Sequence, residues 1–201
     1  MEVLNLSIET KKKSMDNINN RRIVFVAGSH GTGKGYLCEK LAPWLDAQHV
    51  VASDLIRNRR TFGETKAISG IDANQSILIE ELKAFETTKS IVLLDGHFCL
   101  YNAVFKIESL PPEVFRALNV AYAILLTCDP AVIITRLLKR DQRTSGFSLE
   151  RVEQLQIAEQ RHARKISGTL HIPLTELDVT EEPTSDALDR LASDIKREIK
   201  R

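Results

Sequence analysis

Gly28-Ser29-His30-Gly31-Thr32-Gly33-Lys34-Gly35 follows a short apolar run, Ile23-Val24-Phe25-Val26-Ala27, and precedes a helical pattern, Tyr36-Leu37-Cys38-Glu39-Lys40-Leu41. Strand, glycine-rich loop and helix, in that order, form the setting of a phosphate-binding loop. Gly28, Gly31 and Gly33 let the backbone curl so that successive N–H groups meet one phosphate chain, with Ser29, His30 and Thr32 as the loop residues between them. The helix opening at Lys34 adds its positive end, and the lysine ammonium reaches the β- and γ-phosphates. Gly35 departs from the usual pattern, which places a Mg²⁺-holding Ser or Thr directly after the lysine; Tyr36 follows it. His30 is counted with the loop and given no chemistry of its own.

Composition sets the outer limits. The chain has 201 residues, 43% hydrophobic and 27% charged, with a net charge of +1, which suits one soluble α/β domain with a sizeable core. Near-neutral charge gives no strong signal for nucleic acid or an anionic membrane. Cys38, Cys99 and Cys128 lie at unrelated spacings and read as reduced thiols, neither a disulfide frame nor a zinc site. No apolar run reaches membrane-spanning length and no signal-peptide core opens the chain, so a cytoplasmic protein is expected.

Residues 1–22 are polar, include Lys11-Lys12-Lys13, and read as a mobile N-terminal arm. The domain proper is expected over 23–201. A helix over Lys34 to Asp46 leads to a strand at His49 to Ala52, and Ser53-Asp54 is the expected N-cap of a short helix carrying Arg57, Arg59 and Arg60. After a polar segment with Gly63 and Gly70, the spacing of Ile77, Leu78, Leu82 and Phe85 predicts a helix over Asn74 to Thr87. Ser90 to His97 and Ala121 to Cys128 are continuously apolar, as strands buried on both faces are. Pro111-Pro112-Glu113 opens one helix and Asp129-Pro130 another, to about Lys139. Asp141 to Phe147 lacks apolar periodicity and reads as a short loop. Ser148 caps a helix to about Ile166, His171 to Leu174 is the last strand, and Ser185 caps the amphipathic closing helix.

Strands alternating with helices predict an α/β chain, a three-layer αβα P-loop NTPase fold with a central parallel sheet of about five strands and a short lid. Ligands bind beyond the carboxyl ends of such strands. The glycine loop, Ser53-Asp54, Asp95-Gly96-His97 and Asp129 all follow strands, so they are expected at one sheet edge.

Gly28-x-x-Gly31-x-Gly33-Lys34-Gly35, Ser53-Asp54-Leu55-Ile56-Arg57, Leu94-Asp95-Gly96 and Arg136-x-x-x-Arg140 together resemble the nucleoside monophosphate kinases, adenylate kinases especially, over about residues 23 to 168. Asp95-x-His97-x-Cys99 is similar to the small adenylate kinase/ATPase proteins of ribosome biogenesis, a likeness that implies a short lid at about 141–147. The resemblance implies ATP and Mg²⁺ as cofactors. It implies that Lys34 grips the β/γ-phosphates, Asp95 positions Mg²⁺ through water, and Asp54 and Arg57 serve the acceptor, Arg57 on its phosphate. Arg136 would lie along the adenine, Arg140 would meet the transferring phosphoryl, and His97 would orient an attacking water. Larger adenylate kinases place a second acceptor-binding arginine where Cys99 stands, so AMP does not carry over as acceptor.

The expected function is a P-loop kinase of the nucleotide-kinase type, moving the ATP γ-phosphoryl to a small acceptor, a nucleotide first of all. Two alternatives stand beside it: an ATPase switch acting on a protein partner, and a nucleoside or small-metabolite kinase.

Overall fold

The computed structural model describes residues 21–62, 71–141 and 147–200. Residues 1–20 of the expected arm, the 63–70 segment and most of the expected lid, with Arg143, lie outside these residues, whereas Arg22, the last residue of that arm, opens the first strand. Strand β1 (Arg22–Ala27) leads through the glycine loop to helix α1 (Lys34–Leu45), strand β2 (Ala47–Val51) and helices α2 (Ala52–Phe62) and α3 (Ile71–Ala84). Strand β3 (Ile91–Gly96) is followed by short strands β4 (Cys99–Tyr101) and β5 (Ile107–Ser109) and by helix α4 (Pro112–Ala117). Strand β6 (Val120–Thr127), helices α5 (Pro130–Asp141) and α6 (Leu149–Leu170), strand β7 (Leu174–Asp178) and helix α7 (Ser185–Glu198) complete the described chain.

The main sheet is parallel, five strands in the order β2-β3-β1-β6-β7. The strand order reverses at β1, so the loop leaving it opens at the topological switch point, where such sheets bind ligands. Alternation along β1 sends Ile23, Phe25 and Ala27 into one apolar cluster and Val24 and Val26 into the other. On the first face lie Leu78 and Leu82 of α3, Phe115 of α4, and Leu155 and Ala163 of α6. The second face is covered by Leu37 and Leu41 of α1, Ile133 and Leu137 of α5, and Leu191 and Ile195 of α7. This is the expected three-layer αβα arrangement. Each fully buried aliphatic or aromatic side chain contributes roughly 1.5–3 kcal/mol, and the helices use that burial to hold the loops at one edge.

Several boundaries differ from expectation for local reasons. Helix α2 begins at Ala52, so Ser53 and Asp54 lie in its first turn and do not cap it; Asp54 there favours the positive helix end. Helix α3 begins three residues early. Helix α6 continues to Leu170, where His171 takes a left-handed conformation (φ 54°) and donates its backbone N–H to Ser167; the last strand therefore starts at Leu174. Thr184, one residue before the expected Ser185, caps α7 by accepting the Ala187 N–H. The β4–β5 hairpin was not anticipated: its turn is held by Asn102 Oδ1, which accepts the N–H groups of Val104 and Lys106. Two of the expected caps stand as read: Ser148 on α6 and Asp129 on α5, the latter accepting from Ala131.

Candidate functional site: a phosphate-binding loop facing Asp95 and His97

The loop is shaped by close packing at its glycines. Gly28 has φ 147°, and a Cβ there would lie 2.7 Å from the Leu126 carbonyl oxygen. Gly33, at φ 100°, is the N-cap of α1 and makes no side-chain cap, so the first N–H groups of the helix stay open toward the loop. Thr32 Oγ1 closes the turn, donating to the Ser29 carbonyl at 2.8 Å. Lys34 is buried at the centre: its Nζ donates to Gly28 O at 2.9 Å and Ser29 O at 3.3 Å. It stands 3.9 Å from Asp95 Oδ1. Burial lowers the Lys34 pKa, with Asp95 acting in the opposite direction.

Asp95, the penultimate residue of β3, stands beside the strand that leads into the loop, because Val26 and Asp95 share register. Burial raises its pKa, opposed by the Lys34 charge. A Cβ at Gly35 would lie 3.8 Å from Asp95 Oδ2, so the position that usually carries a Mg²⁺-holding hydroxyl faces this carboxylate. Mg²⁺ keeps several waters and needs only one or two carboxylates besides substrate phosphates; Asp95 alone beside Gly35 fits that demand. The buried lysine and Ser29 Oγ, buried without a partner, fit a phosphate chain in the loop.

His97 follows on the same strand end. Its ring lies 4.4 Å from the His30 ring, centroid to centroid, so His30 packs against His97 within the site. Burial first, then Lys34, holds His97 well below the usual histidine range; it is neutral near pH 7.

Arg136 and Arg140 both line the cavity above the loop. Arg136 joins two segments: Nη1 donates to Thr32 O at 3.0 Å and Cys128 Sγ at 3.4 Å, and Nη2 to Val179 O at 2.9 Å and Thr180 O at 3.4 Å. Tyr36 bonds Glu182 through its hydroxyl, tying α1 to the same stretch after β7. The glycine loop, Tyr36, Asp95, His97, Arg136 and Arg140 thus come together.

A model of the AAA domain family matches residues 27–156, well over half of the chain. The chain belongs to the AAA domain family. Among curated proteins it is similar to adenylate kinase isoenzyme 1 of Cyprinus carpio, 28% identical over 153 residues, 70% of this chain and 74% of the carp protein. Among solved structures it is similar to a gluconokinase from Sinorhizobium meliloti 1021 (TM-score 0.52, 14% identity, 89% of this chain and 97% of that one). A shikimate kinase from Acinetobacter baumannii in complex with shikimate is also similar (TM-score 0.51, 16% identity, 92% and 95%). At those identities the structures speak for the fold alone. The fold is that of these two kinases, and the carp protein is likewise a kinase by name, in keeping with the expected ATP-dependent phosphotransferase.

In this AAA domain, other expected site residues stand apart. Arg57 Nη2 pairs with Asp54 Oδ1 at 2.8 Å on the exposed side of α2, and neither residue lines the cavity. Asp129 is spent on capping α5. Cys99 is fully buried, its Sγ 3.4 Å from Ser109 Oγ, and burial pushes the thiol up to about 11. It faces the core; Leu100 is the β4 residue that lines the cavity.

Two residues of the site were missed. Glu159, only 1% exposed on α6, accepts the Phe98 N–H at 3.0 Å through Oε2 and places Oε1 3.3 Å from His97 Nδ1. Burial pushes its carboxyl up to about 7, against its backbone hydrogen bonds and the Lys34 charge. Gln156, one turn earlier, exchanges two hydrogen bonds with the backbone of Cys128, 2.9 and 3.0 Å long. One helix therefore fixes the ends of both strands flanking β1. The available signal was two polar residues on the apolar stripe of α6, among Val152, Leu155, Ala163 and Ile166.

No helix among the described residues is long and apolar enough to cross a membrane.

Proposed function

We propose that this protein transfers the γ-phosphoryl group of ATP·Mg²⁺ to the hydroxyl of a small acceptor. One observation carries the reading: Lys34, buried at the centre of the glycine loop, faces Asp95 at 3.9 Å. A buried lysine and carboxylate kept that close without a direct hydrogen bond suit a site that takes polyphosphate and a divalent cation between them.

Phosphoryl transfer needs positioning and charge neutralisation more than covalent help from the protein. Lys34 and the open N–H groups after Gly33 hold the β- and γ-phosphates, and Asp95 holds Mg²⁺ through water. Mg²⁺, when bound, would neutralise phosphate charge. Arg140 meets the transferring group from α5. Arg136 keeps the loop and the Val179-Thr180 backbone in register, leaving its guanidinium face for the adenine. Neutral His97 helps orient the attacking hydroxyl, and Glu159 holds the imidazole in place.

The test is transfer of label from [γ-³²P]ATP across a panel of small hydroxyl compounds and nucleotides, with inorganic phosphate followed in parallel. Label moving to a small acceptor is the expected outcome. Label released only as inorganic phosphate, faster only with a macromolecule present, would replace this reading with an ATPase switch.

A further inference from the structure

The cavity beside the loop, about 630 Å³, has two unlike ends. Lys34, Arg136 and Arg140 line it on the loop side. On the opposite side the wall is built by α2, α3, β4 and α4, through Ile56, Gln75, Leu78, Leu100, Phe115 and their neighbours, and no described residue of that wall is ionisable. Phe115 stacks on Phe98 at 5.1 Å and meets the edge of Phe25 at 5.4 Å, so the wall is stiff and aromatic. Gly96 helps shape it: a Cβ there would lie 2.7 Å from the Phe25 ring.

Gln75 is the polar feature of this wall. It is 8% exposed, and its Nε2 has no hydrogen-bond partner. A buried amide donor left unpaired is unfavourable, and a ligand carbonyl or ring nitrogen would satisfy it. A phosphate dianion on the same wall would be buried against apolar carbon and uncharged amides, which is strongly unfavourable without a paired cation. Arg57, the arginine that the adenylate kinase resemblance assigns to an acceptor phosphate, is engaged with Asp54 outside this lining.

We propose that the acceptor held against this wall is uncharged, with a planar apolar body and a free hydroxyl: an unphosphorylated nucleoside by class, its base accepting the Gln75 amide hydrogen. This rests on the phosphotransferase reading above. The acceptor hydroxyl oxygen forms a bond to the γ-phosphorus, the bond from that phosphorus to the β–γ bridging oxygen breaks, and ADP and one proton leave.

The experiment compares each nucleoside with its own 5′-monophosphate as acceptor, following labelled product and ADP together. The expected result is saturable phosphorylation of at least one nucleoside with kcat/KM tenfold or more above that of its monophosphate. Gln75→Leu should raise KM for that nucleoside about tenfold and leave KM for ATP in place. Leu100→Arg, checked by its melting temperature, should move the preference toward the monophosphate. Preference of the unaltered protein for a monophosphate would overturn this inference and keep the kinase reading. ADP and free phosphate with no phosphorylated nucleoside or nucleotide would overturn this inference, and the same outcome across the wider panel of small hydroxyl compounds would overturn the kinase reading as well.

Discussion

Glu159 Oε1 stands 3.3 Å from His97 Nδ1, and the same carboxyl accepts the Phe98 N–H through Oε2 at 3.0 Å. The acid reaches the end of β3 from the middle of α6, itself buried while His97 keeps a small exposed face. The two groups shift in opposite senses, Glu159 up to about 7 and His97 below its ordinary value. Near neutral pH the pair is thus one carboxyl close to its titration point beside an uncharged imidazole. Burial and the Lys34 charge keep this imidazole uncharged, and Glu159 fixes its orientation beside the glycine loop.

Glu159→Gln tests that pairing through stability and rate together. The folded carboxyl titrates at about 7, against an ordinary value of 4.5. The stability it contributes is therefore complete below pH 4.5 and lost as pH rises through 7. Glutamine imitates the protonated form, so the variant should match the parent at pH 4.5 and exceed it at pH 8 by on the order of 2–3 kcal/mol. Turnover should fall, because the charge that holds His97 is gone. Urea unfolding at both pH values decides it; an equal difference at the two would show that Glu159 does not titrate between them.

Lys34→Ala should abolish measurable ATP binding while the fold persists. Among the described residues, the ammonium donates to the loop carbonyls of Gly28 and Ser29 and faces the charge of Asp95. Removing it deletes a charge-assisted contact worth roughly 1.5–3 kcal/mol, and a buried charge disappears with it. Calorimetry with ATP, beside a thermal melt, separates lost binding from lost structure. Unchanged affinity in a folded variant would end the phosphate-loop assignment.

Asp95→Asn keeps the shape of the strand end and removes its charge. Nucleotide affinity without Mg²⁺ should hold or tighten, since a carboxylate beside the phosphates is gone. Turnover should drop by roughly a hundredfold, about 2.7 kcal/mol of transition-state stabilisation, with the Mg²⁺ concentration at half-maximal rate moved upward. A variant with parental Mg²⁺ dependence would place the cation elsewhere.

Arg136→Lys examines a residue with a structural and a binding share. The guanidinium spans Thr32, Cys128, Val179 and Thr180, a span one ammonium cannot reproduce. Stability should fall by roughly 1–3 kcal/mol at about 0.5–1.5 kcal/mol per hydrogen bond, and KM for ATP should rise. Measured melting and KM that both stay at parental values would leave Arg136 as a surface cation.

The phosphate loop was legible because everything it needs is local. Glycine spacing, the preceding apolar strand and the following helix lie within about twenty residues, and backbone sterics force one path on them. The alternation of buried strands with amphipathic helices likewise carried the three-layer αβα sheet, since each period follows from its own element's geometry. What the chain order left open was direction and partnership across distance. Cys99 and Leu100 are neighbours in sequence; only hairpin pairing with Ser109 decides that the thiol faces the core and the leucine the cavity. Arg57 matched a motif, yet the packing of α2 placed it with Asp54 on the outside. Glu159 belonged to no motif, and its meaning came from α6 lying across the strand ends, where a carboxylate must find Phe98 N–H and His97 or remain unsatisfied. Local geometry determined the glycine loop and the helix behind it. Long-range packing decided which side chains share its cavity, because burial and hydrogen-bond satisfaction depend on residues many tens of positions away.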